Sequence, residues 1–541
     1  MRKKITVFAA MVGAALLAGG AGTAHAAAAC GDINNSGGTP NSIDSVGLAQ
    51  ALLGGSVASH CGNSGTLQCG DIVKDNTLNS QDLVASLQIA ANIPTLLAPC
   101  TGFGSTLPCN TNIQGTITTN TVFPADCDTF IDGTVIVQNG AVVTVQPGAT
   151  IKGRKTSFNN TPSALVISRG SKINAGGTPA KPIVMTSDQA PGSRNLGVQG
   201  DWGGLVLLGS APVNFPGGEG ASEGLPPGTA NFGGNNPNDS SGQVRYTRIE
   251  FSGRELAPDN ELNVLTQNGI GAGTTMEYIQ ANAGTDDGVE WFGGTVTEKH
   301  IVVTNCEDDN LDWQIGYRGN VQFYLAYQNA ATDISSGSNG IEADNNEEDF
   351  LLTPVSNPNV CNVTMIGCRK QGCATGGAGA NLRRGTAGKV ANTIITDWFA
   401  AALDIDDDAT LVHGCTNSTT LNTTEPVLRV QDSILYNAGS LVSGSTTSPN
   451  CTPAQLVGLW GMSLSGTDPL PGVTGTYPTT VDDRFFPVGG GIADNKPDCA
   501  DLNTGVFDPA PYAGAFVPGG STGSGDNWLV TPGGWISFAA N

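Results

Sequence analysis

The chain has little positive charge and very few histidines. Its 541 residues include 24 Lys and Arg against 47 Asp and Glu, so the formal net charge at pH 7 is -23. Nucleic acids and anionic lipids are polyanions, and this balance therefore excludes both as predicted partners. With only four histidines, any bound metal should be held by oxygen ligands, and Ca²⁺ is the first cation to expect.

The chain also lacks long apolar runs beyond its N-terminus. None of them approaches the roughly 20 residues that a membrane-spanning helix needs, so no transmembrane segment is predicted. Residues 1–26 have a basic start, an apolar run from Ile5 to Leu17, and Ala24-His25-Ala26 at their end. This order is typical of a secretory signal peptide. We therefore expect an exported protein, secreted or held at the cell surface.

Export changes what the 13 cysteines indicate. In an oxidising compartment the expected role of cysteine is the disulfide, and zinc or redox chemistry becomes the weaker interpretation. The cluster Cys361, Cys368 and Cys373 should therefore pair among itself or with Cys306, Cys415, Cys451 or Cys499. Because 13 is odd, one cysteine is expected to stay unpaired.

The tetrapeptide Cys-Gly-Asp-Ile occurs at residues 30–33 and again at 69–72, and each copy is followed by another cysteine 31 positions on. Each copy opens a run of Asp, Asn and Ser that precedes a helix-like apolar stretch. Calcium needs hard oxygen ligands at spacings that let a tight loop close around the ion. The predicted ligands are Asp32, Asn34, Ser36 and Asp44 in the first loop and Asp71, Asp75, Asn79 and Asp82 in the second.

These two loops resemble those of dockerin-type modules, and the resemblance covers residues 30–100. The first loop is one residue longer than the dockerin pattern, and Val73 stands where the second loop should have a ligand. The resemblance implies a small α-helical module with bound Ca²⁺ and a cohesin-like or cell-surface partner. Disulfides 30–61 and 69–100 would close the loops, although the spacing also allows a crossed pairing. A disulfide-stapled helical hairpin with solvated acids is the alternative.

After Cys100 the sequence consists of short β-branched runs broken by Gly, Asn and Pro, as in "GTVIVQNGAVVTVQPGATIKG". This pattern predicts strands and turns with hardly any helix. Similar phrases recur at spacings of 21 to 30 residues, namely "DDGVEWFGG", "DDNLDWQIG", "SNGIEADNN", "GANLRRGTA" and "AALDIDDDA". Such spacings are typical of the rungs of a parallel β-helix. We predict a mainly β fold, with a right-handed parallel β-helix over residues 110–440 and an irregular cap over residues 441–541.

Several longer phrases also resemble, in order, a group of poorly characterised secreted or cell-surface β-helix proteins of bacteria. The phrases are "GDWGGLVLLGSAPVN", "VRYTRIEFSGRELAPDNELN", "DDGVEWFGGTV" and "EDDNLDWQIGYRG". The resemblance implies the fold and an extracellular location. It implies no particular activity, because a fold does not determine function.

Aligning the recurring phrases predicts which side chains face outward. The aliphatic residues Val289, Leu311, Ile341, Leu382 and Leu403 form one column that should point into the coil. Because side chains alternate along a strand, their successors should form an outward column. That column consists of Glu290, Asp312, Glu342, Arg383 and Asp404, and Asp286, Asp287, Asp308, Asp309, Asp344, Asp406 and Asp408 flank it. The sequence therefore predicts an acidic groove along the coil.

Three functions are compatible with this groove. It could bind Ca²⁺ and an extracellular polysaccharide, with Glu290, Asp309 and Asp404 as ligands and exposed Trp313 and Tyr317 stacking on sugar rings. It could belong to a polysaccharide lyase or glycoside hydrolase, with Asp312 and Glu342 as the catalytic carboxylates and Arg383, or its neighbour Arg384, as the base. Finally, the acids could only solvate the surface of a structural protein. The isolated His60, His300 and His413 and the absence of a Gly-His-Gly phrase count against an enzyme.

Overall fold

A computed structural model describes residues 105–538, apart from residues 160, 195–199, 226–227, 229, 258–259, 445–447, 465, 500–501, 503–504, 522–526 and 531–533. The chain divides into two units, Met1–Gly104 and Ser105–Asn541. The predicted signal peptide and the whole dockerin-like module, with its eight ligands and four cysteines, lie outside the described residues. Everything that follows concerns the second unit.

Two large parallel sheets form this unit, and the chain alternates between them. Sheet 1 has eleven strands, each paired with its neighbours in parallel. They are Thr116–Ile117, Thr134–Val137, Ala164–Ile167, Leu205–Leu208, Leu265–Asn268, Val289–Phe292, Leu311–Gln314, Ile341–Ala343, Ala380–Leu382, Ala401–Ile405 and Ser440–Gly444.

Sheet 2 has seventeen strands and forms the remaining faces of the coil. The strands are Ser105–Thr106, Thr111–Ile113, Thr121–Phe123, Asp128–Ile131, Val142–Val145, Thr150–Gly153, Lys172–Gly176, Ile183–Ser187, Gly242–Glu250, Thr275–Asn282, Thr297–Thr304, Asn320–Tyr327, Asn359–Ile366, Gly388–Thr396, Leu428–Gln431, Ile434–Tyr436 and Ser463–Leu464. Each turn of the coil contributes a strand to sheet 1 and one or two strands to sheet 2, and these strands stack on those of the previous turn. The predicted mainly β fold, a parallel β-helix, is confirmed.

Three antiparallel hairpins and two short α-helices complete the described elements. The hairpins pair Glu219–Ala221 with Asn231–Gly233, Glu255–Ala257 with Asn260–Glu261, and Cys415–Asn417 with Thr420–Leu421. Helix α1 is Asp408–Gly414, helix α2 is Pro453–Trp460, and 3₁₀ turns lie at Arg369–Gln371, Asp483–Phe485 and Trp528–Val530. Within this part of the chain, neither helix is long and apolar enough to cross a bilayer.

The core of the coil is a stack of aliphatic side chains. Leu265, Val289, Leu311 and Ile341 pair in register on successive strands of sheet 1, and none of them is accessible to solvent. Burying such a side chain stabilises the folded state by about 1.5–3 kcal/mol. This repeated gain fixes the register, because a slip by one residue would turn the whole column outward.

The longest strands of sheet 2 bend at one residue in the left-handed conformation. At four successive rungs this residue is Tyr246, Tyr278, His300 or Phe323, with φ between 44° and 61°. Residues other than glycine rarely adopt such angles. The four rings stack, with centroids 4.3, 4.2 and 4.9 Å apart, and these contacts help to stabilise the corner.

The C-terminal residues have two roles. In helix α2, Leu456, Val457 and Trp460 join the core of the coil, and the helix packs on the last rungs, as the predicted cap would. The described residues between Leu470 and Phe538 instead pack along the outer side of sheet 2, where their aromatic residues meet an apolar cluster. The prediction that all of residues 441–541 cap the end therefore missed this lateral packing.

Disulfides, the predicted role of the cysteines, are confirmed, and one of them joins two cysteines for which the sequence predicted no bond, Cys109 and Cys127. The disulfides join Cys109 to Cys127, Cys361 to Cys499, Cys368 to Cys373, and Cys415 to Cys451. Among the described cysteines, Cys306 is unpaired and buried in the core. The bond between Cys361 and Cys499 links the coil to the C-terminal segment that packs on its side.

One acidic side chain lies inside the coil. Glu298 occupies an inward position of sheet 2, between Met276 and Val321 on the neighbouring strands. It is inaccessible to solvent and accepts a hydrogen bond of 3.0 Å from Trp291 Nε1. Burial raises the pKa of Glu298 to about 7, so the carboxyl group is neutral in mildly acidic solution.

Replacing Glu298 with Gln should therefore flatten part of the pH dependence of stability. The folded-state pKa lies above the ordinary value of 4.5, so the folded protein retains a proton that the unfolded chain releases. This contribution to stability is complete below pH 4.5 and is lost as the pH rises to about 7. Denaturant unfolding should show the wild-type free energy falling by about 3 kcal/mol more than that of Glu298→Gln over this range. Equal pH dependence in both proteins would contradict the assignment.

Candidate metal centre

An acidic cavity of about 400 Å³ opens on the outer face of sheet 1. Eleven of its fifteen lining residues are Asp or Glu, two are Arg, and none is His or Cys. The lining residues are Glu223, Glu261, Asp286, Asp287, Glu290, Asp308, Asp309, Asp312, Gln314, Gly337, Glu342, Asp344, Glu347, Arg383 and Arg384. Carboxylates therefore dominate the cavity, and they far outnumber the cationic side chains.

The register of sheet 1 brings the central carboxylates together. Glu290 pairs with Asp312, and Asp312 pairs with Glu342, on three neighbouring strands. Each of these residues follows a buried aliphatic residue, so its side chain points outward at the spacing of the strands, about 4.8 Å. Asp287 and Asp309 come from the turns just before two of these strands. The aliphatic core thus holds the acids close together.

Three groups of carboxylates have oxygen atoms within 4.8 Å of one another. We call them triad 1 (Asp286, Asp287, Asp308), triad 2 (Asp287, Glu290, Asp312) and triad 3 (Asp309, Asp312, Glu342). Calcium binds oxygen at 2.3–2.6 Å, so two oxygens on one ion lie at most about 5 Å apart. Each triad meets this limit. Neighbouring triads share one residue, either Asp287 or Asp312.

Hydrogen bonds from neighbouring rungs orient most of these acids. Asp309 N donates to Asp287 Oδ1 at 2.9 Å, Gln314 Nε2 donates to Glu290 Oε1 at 2.9 Å, and Asn263 Nδ2 donates to Glu290 Oε2. Asp312 differs from them, because its Oδ1 atom is buried and accepts no hydrogen bond. Its side chain lines the cavity and is only 8% exposed. A buried carboxylate oxygen without a partner is costly, so this atom is suited to bind a cation or a proton.

Burial raises the pKa values of the central acids. The pKa values of Asp287, Glu290, Asp309 and Asp312 lie well above their usual range, because burial disfavours the charged form and neighbouring carboxylates repel it. For Glu342, burial and Asp344 outweigh the opposing effect of Arg383 and raise the pKa to about 7. Without a cation, the cavity should therefore retain protons well above the usual pH range of carboxyl groups.

Arg383 is a counter-ion within the cavity. Its Nε donates to Asp344 Oδ1 at 3.0 Å, and its second guanidinium nitrogen donates to Glu342. Although burial acts against the charged form, the carboxylates of Glu342 and Asp344 raise the pKa of Arg383. Arg384 donates to Asp344 at 2.8 Å. Both guanidinium groups are paired with carboxylates, so the predicted role of a catalytic base does not fit this arrangement.

The predicted outward column is wrong at one rung. Glu342 pairs with Asn381, and Asn381 pairs with Asp404, so Arg383 stands two residues beyond the column. Its side chain still points outward, since two residues restore the same face of a strand. Asp404 lies in the column but does not line the cavity.

The predicted sugar-stacking role of Trp313 and Tyr317 is wrong. Trp313 is 1% exposed and Tyr317 is fully buried, and both belong to the core of the coil. Trp313 donates to Thr386 Oγ1 at 3.1 Å, and Tyr317 stacks on Trp291 with ring centroids 5.0 Å apart. These aromatic residues fill the interior beneath the cavity and present no face to a ligand.

Glu223 and Glu261 come from outside the rungs, and sequence reasoning missed both of them, as it missed Gly337 and Glu347. Glu223 lies in the long connection between Leu205–Leu208 and Gly242–Glu250, and Glu261 lies in the second hairpin. Val213 and Phe232 pack this connection on outward apolar residues of sheet 1. No rung pattern marks Glu223 or Glu261 in the sequence. Gln314, in contrast, could have been found, because it shares its outward direction with Asp312.

A buried asparagine fixes the long connection beside the cavity. Asn214 Nδ2 donates to the backbone oxygen of Asn345 at 3.0 Å and to Asn345 Oδ1 at 2.9 Å. Its Oδ1 accepts from Asn346 Nδ2 at 3.1 Å. The connection that carries Glu223 is thus tied to the residues that precede Glu347, another lining residue.

Comparison with known proteins identifies the family. Residues 115–452, more than half of the chain, match the family described as a pectate-lyase like β-helix domain. The chain therefore belongs to this family. No curated protein and no solved structure gives a significant match.

Replacing Asn214 with Ala should loosen the connection that carries Glu223. The change removes three hydrogen bonds and leaves buried amide groups without partners, so the free energy of unfolding should fall by about 1–3 kcal/mol. Hydrogen exchange over residues 211–243 should accelerate. The control is Asn417→Ala, at an exposed asparagine that accepts from Thr419, and it should change stability by less than about 0.5 kcal/mol. Equal exchange in Asn214→Ala and wild type would contradict the role of Asn214.

Proposed function

We propose that this member of the pectate-lyase-like β-helix family is exported and acts at the cell surface or outside the cell. Its acidic cavity binds Ca²⁺, and the bound ion holds an extracellular polysaccharide. The observation that carries the proposal is Asp312, whose buried Oδ1 lies in the cavity without a hydrogen-bond donor and whose carboxylate belongs to two triads.

Charge is the first argument for a cation. Eleven carboxylates and two guanidinium groups line one cavity, and burying unbalanced charge costs several kcal/mol per group. Protons or cations can remove this cost. The ligand chemistry favours a hard cation, because every acidic ligand offers oxygen and no lining residue offers the nitrogen or sulfur that zinc and copper prefer.

Coordination number is the argument for a polysaccharide. Ca²⁺ takes six to eight oxygen ligands, whereas each triad contributes three carboxyl groups. The remaining positions are open to water or to the hydroxyl and carboxylate oxygens of a glycan. The pectate-lyase-like character of the family supports a polysaccharide as the ligand that completes the coordination.

A hydrolase is the second candidate, and one observation favours it. Carboxylate oxygens of Asp312 and Glu342 lie within 4.8 Å of each other, which is near the separation of the two catalytic acids in retaining glycosidases. A lyase with Arg383 as base fits less well, because this guanidinium is paired with two carboxylates. Release of reducing ends from a polysaccharide panel would indicate a hydrolase. Ultraviolet absorbance from an unsaturated product would indicate a lyase.

The third candidate is a purely structural protein. One pair of substitutions distinguishes it from the protein that binds Ca²⁺ and a polysaccharide. Replacing Asp312 with Asn and Glu342 with Gln together removes charged ligands from triads 2 and 3. Charge-assisted contacts contribute about 1.5–3 kcal/mol each, so Ca²⁺ affinity measured by calorimetry should fall ten-fold or more. Asp404→Asn is the control, because Asp404 shares the column but lies outside the cavity.

The opposite outcome would identify acids that only repel one another. In that case the double variant would be more stable to heat than wild type, since the substitutions relieve repulsion, and Ca²⁺ affinity would stay unchanged. That result would contradict the proposed function.

A further inference from the structure

We infer that the guanidinium group of Arg383 competes with a cation for Glu342 and thereby limits how many ions the acidic cavity binds. The inference rests on the proposed function, because it concerns the same carboxylates. It assigns Arg383 the role of a built-in cation that fills triad 3 when few metal ions are present.

Glu342 already has donors for both oxygens. Arg383 donates to Oε1, and Asn339 Nδ2 donates to Oε2 at 3.2 Å. Of the three residues of triad 3, only Asp312 belongs to another triad, so Glu342 serves triad 3 alone. A metal ion at triad 3 therefore competes with the guanidinium for the negative charge of Glu342.

The other two triads have no such competitor. In the described part of the chain, no Lys or Arg forms an ion pair with Asp286, Asp287, Asp308, Glu290 or Asp312. Their side-chain oxygens accept hydrogen bonds from neutral groups, namely a backbone amide and the side-chain amides of Gln314 and Asn263. Triads 1 and 2 can therefore accept an ion without releasing a charged partner.

Arg383 has a second carboxylate partner, which it can keep when a metal ion takes its place at Glu342. Its Nε donates to Asp344 Oδ1 at 3.0 Å, and Asp344 belongs to none of the triads. The Arg383 side chain is 27% exposed, so it has room to move toward solvent. After displacement the guanidinium would keep one carboxylate partner, which makes its exchange for a metal ion feasible.

Asp312 gives an independent reason to expect an ion on either side of it. Its Oδ1 is buried in the cavity and accepts no hydrogen bond, and the residue is shared by triads 2 and 3. A metal ion at triad 2 would use this carboxylate, which triad 3 also contains. The cavity should therefore fill in order, with triad 3 last.

The test is the number of Ca²⁺ ions bound by the full chain and by Arg383→Gln. Equilibrium dialysis at increasing Ca²⁺ should show one more ion per chain in the variant, or the same final number with the last ion bound at least ten-fold more tightly. Ions bound by residues 1–104 are common to both proteins and cancel in the comparison. Circular dichroism and thermal unfolding establish that each variant folds.

Arg384→Gln is the matched control. It removes the same charge from the same cavity, but Arg384 pairs with Asp344 and Glu347, which belong to no triad. It should therefore not add an ion. Arg383→Lys serves as a second variant, since lysine keeps the charge but loses the fork that bonds two carboxylates at once. The affinity for the last Ca²⁺ ion should therefore rise less in Arg383→Lys than in Arg383→Gln.

The outcomes distinguish this inference from the proposed function. Equal gains in Arg383→Gln and Arg384→Gln would show a general effect of charge and would overturn the competition. Bound Ca²⁺ that decreases in Asp312→Asn but does not change in Arg383→Gln would also overturn it, while leaving the calcium-binding cavity in place. Identical binding by wild type, Asp312→Asn and Arg383→Gln would overturn both.

Discussion

In-register stacking of parallel strands is the constraint on which the rest of this structure depends. The aliphatic column of Val289, Leu311 and Ile341 is buried only when each rung lies directly on the previous one. The same register places their outward neighbours about 4.8 Å apart. The acidic residues cannot separate without disrupting the core beneath them, so hydrophobic burial opposes the repulsion among the carboxylates. A cation that binds these acids would relieve repulsion that the core enforces.

The sequence predicted the coil well where aliphatic residues alternate with polar ones. That alternation placed Glu290, Asp312 and Glu342 correctly on one face, because the period of a strand is two. It failed at the next rung, where Asn381 and not Arg383 follows Glu342 in the column. Both Ala380 and Leu382 are buried, and a pattern based on hydrophobicity favours the larger residue. The connection before the strand Ala380–Leu382 is long, so its length does not indicate which residue of the strand continues the column.

The residues that line the cavity were harder to predict from the sequence than the residues of the column. Trp313 follows Leu311 by two residues, so strict alternation would have placed it in the core, where the structure has it. Glu223 and Glu261 enter the cavity from a connection and a hairpin, and only long-range contacts such as those of Asn214 determine their position. The pairing of Arg383 with Glu342 and Asp344 also depends on three-dimensional distance, because about 40 residues separate the partners along the chain.

The central claim is that a cation binds between the rungs at Asp312, and anomalous diffraction tests it most directly. Crystals of the protein grown with Ca²⁺, or with Tb³⁺ as a stronger anomalous scatterer, would locate each ion. The account predicts an anomalous peak in the acidic cavity, at coordination distance from Asp312 and from a second carboxylate of triad 2. Ordered ions elsewhere in the crystal, with no peak in the cavity and Asp312 hydrogen-bonded only to water, would contradict it.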